Sequence, residues 1–422
     1  MSPFRLPLLL FAAVALVAAQ DVRPKDVRET AKSGSNSIPQ LTEYLKNPSA
    51  DVRVEAVKQL SEVGTQRSLD PLIQATRDND PEVQILATDG LVNFYLPGYV
   101  KTGFASSLRR AGTSIKGHFT DTNDQVIDPY VEVRPEVIDA LGRLASGGAN
   151  MQSRANAARA LGILRGKAAE KDLIEALHTK DSEVIYESLV ALQKIRDESV
   201  APRIFFLLHD FDPKVQVAAI ETTGLLQNKQ ALPDLTSVLK TSKDAKVRRA
   251  ALEAISMLPS PENRDLYVQY LQDKDDKLRG SAAEGLGRLK DPANLPLLDK
   301  AWQDEGKTSP RLSIAFGLVM MGKTEFSEFS PLQYLVNNLN SASYDGVAEP
   351  FLVELARNEQ VRHSLYKPVE TGTKAEKIGL AHVLARSGDA SSVPVLEKLS
   401  NDPDPDVAKE GLRALRILKA RL

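Results

Sequence analysis

The sequence predicts an all-α protein, an α-α superhelix built from about eleven helical hairpins. Three observations support this prediction. One residue pattern returns along the 422-residue chain, most often after 31 or 32 residues, and each copy begins with a residue suited to the start of a helix. No stretch alternates polar and apolar residues for long enough to indicate a sheet. A repeat of this length is one supersecondary unit that buries its apolar face against neighbouring copies.

The first position of each copy has the chemistry of a helix N-cap. Nine of the eleven residues are Ser, Thr, Asp or Asn, whose side-chain oxygen accepts a hydrogen bond from a free backbone N–H of the first turn. Pro follows directly in three copies, where a missing N–H costs nothing. The eleven positions are Ser49, Asp80, Asn150, Asp181, Asp212, Asp244, Asp275, Lys307, Tyr344, Thr373 and Asp404.

Apolar positions three, seven and eleven residues after each cap predict one buried stripe, because a spacing of four keeps them on one helical face. At the eleventh position ten of eleven residues are branched aliphatics, and Thr223 is the exception. At the seventh position eight copies have Ala, Ser or Gly, which predicts close helix–helix approach. Ile314, Phe351 and Leu380 break this pattern, and we expect looser or differently angled packing there.

A second amphipathic segment precedes each of these helices, as in Ile38, Leu41 and Leu45. Each copy therefore predicts two antiparallel helices. The motif D-P-x-V-[RQ]-x-x-A-x-x-x-L, which begins at Asp80 and in part at Asp212, resembles the HEAT repeat family, specifically its short phycobilisome-lyase-type repeats. This resemblance extends over residues 36–421 and implies a concave surface, lined by the second helices, to which protein partners bind. Eight of eleven residues four positions after the cap are Arg, Gln or Lys. The resemblance implies that they form a structural Asp–Arg ladder, and a ligand-binding stripe is the alternative.

The N-terminal residues predict an export signal. Arg5 precedes an apolar run of about 14 residues, which is shorter than the roughly 20 needed to span a bilayer. Val17-Ala18-Ala19 offers small residues for cleavage after Ala19. We therefore expect a periplasmic or extracellular protein. The expected organisation is a signal peptide at 1–19, a linker at 20–35, two HEAT-like repeats at 36–95, an insert loop at 96–130 and repeats three to eleven at 131–422.

Composition narrows the function classes. A net charge of −2, a pI near 6.3 and 5% aromatic residues argue against nucleic-acid binding. The absence of cysteine excludes disulfides and thiol chemistry. No cofactor or metal is predicted, because no two histidines have metal-ligand spacing. His178 and His209 occupy equivalent positions at helix ends, where interaction with the helix dipole is favoured over a metal pair.

The insert is the predicted site of specific function. The step from Asp80 to Asn150 is 70 residues, and the added segment combines cations with aromatic residues. Three interpretations remain open: the loop seals the groove with its own aromatics, binds a partner, or contacts an anionic membrane. Calcium binding at 121–128 is disfavoured, since the EF-hand Gly and Glu are missing. The predicted partner-binding residues are Tyr99, Lys101, Phe104, Arg109, Arg110, Lys116 and Phe119.

The function predicted from these observations is an exported, non-enzymatic scaffold that binds protein partners along its concave face. One alternative is an enzyme or chromophore carrier similar to the bilin lyases, against which export and the absence of cysteine argue. A second alternative is an envelope-assembly factor that contacts an anionic membrane surface through the basic insert.

Overall fold

The computed structural model describes residues 22–99 and 125–422, and in these two ranges it contains helices and no strand. The described residues form eleven helical hairpins, here called units 1 to 11, preceded by the single helix α1 (Pro24–Ala31). The predicted all-α fold class is thereby confirmed. In the described ranges no helix has the length and hydropathy that crossing a bilayer requires.

Units 1 and 2 precede the insert along the chain, and units 3 to 5 follow it. They are α2 (Ile38–Tyr44) with α3 (Ala50–Val63), α4 (Leu69–Ala75) with α5 (Pro81–Tyr95), α6 (Pro135–Gly147) with α7 (Met151–Ile163), α8 (Glu170–Ala176) with α9 (Ser182–Ile195), and a 3-10 helix (Glu198–His209) with α10 (Pro213–Leu225).

Units 6 to 11 complete the array. They are α11 (Leu232–Thr241) with α12 (Ala245–Met257), α13 (Arg264–Tyr270) with α14 (Asp276–Arg288), α15 (Leu295–Asp304) with α16 (Thr308–Met320), α17 (Pro331–Asn337) with α18 (Asp345–Leu355), α19 (Glu359–Thr371) with α20 (Lys374–Ser387), and α21 (Val393–Leu399) with α22 (Pro405–Arg421). Short 3-10 turns adjoin many first helices, at Gly34–Ser37, Gln66–Ser68, Lys167–Ala169, Lys229–Ala231, Pro261–Asn263, Pro292–Asn294, Asn338–Asn340 and Ala390–Ser392.

All eleven predicted caps are the N-caps of second helices. In eight of them the side chain accepts a hydrogen bond from the first turn, as where Asp80 Oδ1 accepts from the N–H of Glu82 at 2.8 Å. The side chains of Ser49, Lys307 and Tyr344 do not cap. For Lys307 and Tyr344 the reason is chemical, since neither offers a short acceptor.

The predicted buried stripe forms the core. Every residue eleven positions after a cap is at most 8% exposed, including Thr223, whose hydroxyl donates to the carbonyl of Ala219 at 2.8 Å. The eight small residues at the seventh position are also buried. One apolar cluster extends from Val27 to Leu318, and a second extends from Leu312 to Leu418. The two clusters meet in α16, where Ile314 breaks the small-residue column, so the expected change of packing begins there.

The prediction that residues 20–35 form a linker is wrong for residues 24–31. These residues form α1, which packs against α3 and buries Val27 completely. Arg28 Nη1 also pairs with Glu55 Oε2 at 3.0 Å. The helix lacks the repeat pattern because it is not a repeat unit. It covers the open end of the first unit, as terminal caps of repeat arrays do.

Candidate functional site

The second helices line the inner surface of the superhelix. Arg288 on α14 donates to Glu354 on α18, with Nη2 to Oε2 at 2.9 Å, and thereby passes over unit 8. Arg413 on α22 donates to Asp128, just before unit 3, with Nη2 to Oδ1 at 2.8 Å. Such contacts between distant units require side chains that point toward the inside of the superhelical turn. The concave surface implied by the HEAT resemblance is therefore built from the expected helices.

Polar side chains connect neighbouring second helices along this surface in the N-terminal half. The amide of Asn156 donates to Asp89 Oδ1 at 3.0 Å, and Arg159 Nη2 donates to Glu187 Oε1 at 2.8 Å. Arg159 and Glu187 are both largely buried at 13% and 5% side-chain exposure, so their ion pair is screened little by solvent. These contacts connect the second helices of units 2 to 4.

Three glutamates occupy the same register in units 5, 6 and 7, nine residues after each cap. Glu284 is buried and accepts hydrogen bonds from Ser313 at 2.8 Å and Arg288 at 3.1 Å. The side chains of Glu221 and Glu253 have no hydrogen bond or ion pair with any described residue. Desolvation by the groove walls, followed by the charges of Glu284 and Glu221, raises the pKa of Glu253 to about 7. Desolvation also raises the pKa of Glu221. Both carboxylates remain open to solvent, so they are available to a ligand.

The inner surface of units 7 to 9 is held together by Arg288. Its guanidinium lies 4.6 Å from the ring centroid of Phe316 and donates twice to Glu354, at 3.0 and 2.9 Å. Phe316 stacks in turn on Phe351 at 4.7 Å between ring centroids. Because the arginine side chain is only 9% exposed, these contacts form a buried bridge across the boundary between the two apolar clusters.

His382 occupies the inner surface of unit 10 between two carboxylates. Its Nδ1 lies 3.1 Å from Glu349 Oε2 and its Nε2 lies 3.5 Å from Glu410 Oε2. The hydrogen bond to Glu349 raises the pKa of His382 against the opposing effect of burial. Arg386 and Arg413 also pair with these two glutamates, at 3.1 and 3.6 Å. The charged imidazolium is therefore favoured.

Both ends of the insert lie on the inner surface. The Tyr99 phenol lies beside Asp89, Arg159 and Glu187, and burial is the largest factor that raises its pKa. On the other side of the insert Ile127 is buried, and its N–H donates to the carbonyl of Ile163 at 3.0 Å. Of the seven predicted partner-binding residues only Tyr99 is described, and it lies in the groove. The other six, Lys101, Phe104, Arg109, Arg110, Lys116 and Phe119, lie outside the described residues and stay a prediction, as does the 121–124 part of the disfavoured calcium segment.

The two histidines considered as a metal pair have separate partners. His178 stacks on Phe206 at 4.7 Å between ring centroids, whereas His209 Nε2 lies 3.5 Å from Asp234 Oδ1. Within residues 22–99 and 125–422, no group of three His, Cys, Asp or Glu residues could hold a metal ion.

Among the described residues, the polar column four residues after the cap connects units by ion pairs at three places, and Gln84 Oε1 accepts from the N–H of Ala149 at 2.9 Å. Arg53 pairs with Asp78 at 2.7 Å, and the equivalent pairs are Arg279 with Glu305 and Lys377 with Asp402, both at 2.8 Å. Each of these acids stands two residues before the next cap. In unit 6 the neighbouring Arg249 takes this role and pairs with Asp275 at 2.8 Å.

Sequence reasoning missed two features of the inner surface. The first is the set of Glu221, Glu253 and Glu284, here called the glutamate row. The sequence does contain a signal for it, because glutamate stands nine positions after three consecutive caps. The contact of Asp128 with Arg413, 285 residues apart, had no sequence signal. Its existence depends on the accumulated rotation of eight units.

Solved structures with a similar fold have low sequence identity to this chain. The CpcE–CpcF complex of phycocyanin lyase from Nostoc sp. is 21% identical, with 62% of this chain and 90% of that chain covered and a TM-score of 0.38. Human deoxyhypusine hydroxylase is 18% identical, with 68% and 97% covered and a TM-score of 0.29. Kap121p is 13% identical, with 89% of this chain and 45% of that chain covered and a TM-score of 0.38. None of these likenesses assigns a function, and no curated protein matches the chain.

Family comparison agrees with the geometry of the units. The model of HEAT repeats matches residues 13–101, 200–266 and 234–319. The model of the PBS lyase HEAT-like repeat matches residues 153–179, which lie in units 3 and 4. Together these two descriptions of HEAT repeats match more than half of the sequence. The chain belongs to the HEAT repeat family.

Proposed function

We propose that this protein is a non-enzymatic scaffold that holds a protein partner on its inner surface. The observation that supports the proposal most strongly is the pair of unpartnered carboxylates, Glu221 and Glu253, in the middle of that surface. Two solvent-accessible carboxylates without a protein partner can accept charge-assisted hydrogen bonds from a bound polypeptide. A preformed curved surface keeps the entropic cost of binding low, which favours multipoint contact with a partner.

A pair of photo-crosslinking variants in one unit tests the proposal. A photoreactive amino acid replaces Glu253 on the inner surface, or Lys240 on the exposed side of the first helix of the same unit. We expect the probe at 253 to capture one defined protein in native extracts, and Glu221→Lys to abolish this capture. The same set of proteins captured from both positions, or no capture from 253, contradicts the scaffold proposal.

We further propose that the scaffold is exported, with residues 1–19 removed as a signal peptide and the mature chain residing in the periplasm or outside the cell. The apolar run after Arg5 and the small residues before Gln20 support this proposal. The intact mass of protein purified from its native host tests it. A mature N-terminus at Gln20 is expected, and a chain that retains residues 1–19 contradicts it.

A further inference from the structure

Four arginines lie on two stretches of the superhelix that the Asp128–Arg413 ion pair brings together, and they are here called the arginine cleft. Arg165 and Arg196 follow α7 and α9 on one wall, and Arg357 and Arg386 lie at the ends of α18 and α20 on the other wall. Arg165 and Arg196 have left-handed backbone conformations, with φ of 49° and 64°. The N–H of Arg196 closes its helix by donating to Leu192 at 3.0 Å, so its position is set by the end of that helix.

One ion-pair clamp joins the two sides of the cleft, and a second braces the wall that contains unit 9. At one end Arg413 donates to Asp128 at 2.8 Å, and at the other end Arg288 donates to Glu354 at 2.9 Å. These clamps connect the start of unit 3 with unit 11, and unit 7 with unit 9. Asp128, Arg413, Glu410, His382, Glu349 and Arg386 form a continuous chain of polar contacts from the start of unit 3 to units 9 and 10. Units 3 and 4 therefore lie across from units 9 and 10.

The arginines of opposite walls interact unfavourably. Desolvation and then the charge of Arg386 lower the pKa of Arg165. Desolvation and then the charges of Arg357 and Arg165 lower the pKa of Arg196. A helix dipole accounts for one arginine at each helix end, but not for two cationic walls that face each other.

Ion pairs within residues 22–99 and 125–422 neutralise little of this charge, although the charge of Asp128 partly offsets that of Arg165. Arg165, Arg196 and Arg357 make no ion pair and no side-chain hydrogen bond with any residue in the described ranges. Arg386 is paired, with Glu349 at 3.1 Å, but that carboxylate is shared with His382. Unpaired guanidinium groups present planar sets of donors that match carboxylates, and their convergence creates a site that an anionic group stabilises.

We propose that the arginine cleft binds an acidic peptide segment of the protein partner, whose carboxylates bridge the two walls. This inference rests on the proposed scaffold function and specifies the chemistry of the partner. The glutamates decide between anion classes: Glu221 and Glu253, on the same inner surface, repel the uniformly negative backbone of a nucleic acid. A peptide can place acidic residues in the cleft and basic or neutral residues beside the glutamates, so a protein segment fits both regions.

Fluorescence anisotropy with a fluorescein-labelled hexaglutamate peptide tests this proposal on the full chain. The cleft variant is Arg165→Glu with Arg196→Glu. The control variant is Arg203→Glu with Lys240→Glu, which makes the same change of net charge at exposed positions on first helices. We expect the control to bind like the unmodified protein and the cleft variant to bind roughly tenfold more weakly or worse, as the loss of charge-assisted hydrogen bonds implies. Binding should weaken with salt.

The milder pair Arg165→Gln with Arg196→Gln keeps the test valid if charge reversal disturbs folding, since neither arginine bonds to the rest of the described protein through its side chain. An affinity that is equal in the cleft and control variants overturns the proposal. Tighter binding of an oligothymidylate than of hexaglutamate, lost in the cleft variant, overturns it in favour of a nucleic acid. Capture from position 253 that persists in the cleft variant, together with unchanged hexaglutamate affinity, leaves the scaffold function standing and removes only the cleft.

Discussion

Units 1 to 8 and units 9 to 11 are held together by different means. In seven of the eight units of the first region a small residue at the seventh position lets second helices touch, and one apolar cluster extends from Val27 to Leu318. In the second region Phe351 and Leu380 stand at that position, and the apolar cluster is separate. Accordingly, α16 packs closely on α14 but makes far fewer contacts with α18.

Where close apolar packing ends, polar bridges span more than one unit. Arg288 connects units 7 and 9 over Phe316, and His382 connects units 9, 10 and 11 through Glu349 and Glu410. Backbone contact illustrates the other means: a Cβ on Gly287 would lie 2.4 Å from the Cα of Gly317. A solenoid can thus continue through an irregular step when a long charged side chain spans the distance that apolar side chains leave.

The largest expected effect on stability comes from breaking the Arg288 bridge between the two regions. Arg288→Met removes the partner of buried Glu284 and of Glu354, and we expect a loss of about 3 kcal/mol in the free energy of unfolding, because a buried carboxylate is left uncompensated. Hydrogen exchange should accelerate in α18 to α22 before it accelerates in α3 to α12. Denaturant unfolding measures the loss, and uniform acceleration along the chain would contradict the assigned role. Glu354→Gln, at a more exposed position, should cost less.

The close approach of α14 and α16 is tested by Gly287→Ala. The added methyl group meets the backbone of Gly317, which cannot move without displacing a helix, so we expect a loss of about 2 kcal/mol. Gly306→Ala is the matched control, since nothing lies within 4 Å of a Cβ there. Thermal unfolding compares the two variants, and equal melting temperatures would mean that the helices are farther apart.

The His382 bridge predicts a pH-dependent stability of units 9 to 11. The pKa of His382 is raised in the folded protein by Glu349, so its stabilising contribution is full below the ordinary histidine value near pH 6.5 and is lost as pH rises through the folded value. The charged groups that surround His382 are Glu349 on α18, Glu410 and Arg413 on α22, and Arg386 on α20, the helix of His382 itself. His382→Gln should therefore lower Tm more at pH 6 than at pH 9. A difference that grows with pH would contradict the assignment.

The smallest effect on stability is expected at Glu253, where removal of the charge should raise Tm rather than lower it as at His382. The folded protein disfavours the charged form of Glu253, whose pKa is about 7, so stability is lost as pH rises from the ordinary carboxyl value through that pH. Glu253→Gln should raise Tm at pH 8 and leave it unchanged at pH 4. The exposed Glu262→Gln serves as the control and should show no such dependence. If Glu253→Gln lowers Tm at pH 8, the carboxylate has a stabilising partner.

The sequence was sufficient for the features that recur locally. The caps from Ser49 to Asp404 and the seam from Leu60 to Leu415 follow from helix periodicity, and each is where it was predicted. Helix α1 escaped prediction because it carries no repeat. The column four residues after the caps predicted some of the ion pairs between units, as for Arg53 and Arg279. In unit 6 it pointed to the wrong residue, because Arg249 rather than Arg248 pairs with the next unit and periodicity cannot distinguish adjacent arginines.

Contacts across the superhelix were beyond sequence reasoning for a geometric reason. The approach of Asp128 to Arg413 depends on small rotations between units that add up over the whole array. A change of a few degrees in each step would separate the two residues, and no residue pattern records those angles. Partner binding by the six predicted insert residues other than Tyr99 stays a prediction, because these residues lie outside the described ranges.

The superhelix returns on itself, so that units 3 and 4 face units 9 to 11, and crosslinking across this approach tests the arrangement most directly. Because the chain has no cysteine, the pair Tyr130→Cys with Arg416→Cys can be crosslinked without background, and it leaves the Asp128–Arg413 clamp intact. Tyr130 donates to Asp128 at 2.9 Å, and Arg416 lies one helical turn after Arg413, so the clamp brings the two positions near each other. A short bis-thiosulfonate reagent should give an intramolecular crosslink in the monomer, whereas Tyr130→Cys with Lys240→Cys should not. Equal crosslinking yields in the two pairs would contradict the closed arrangement.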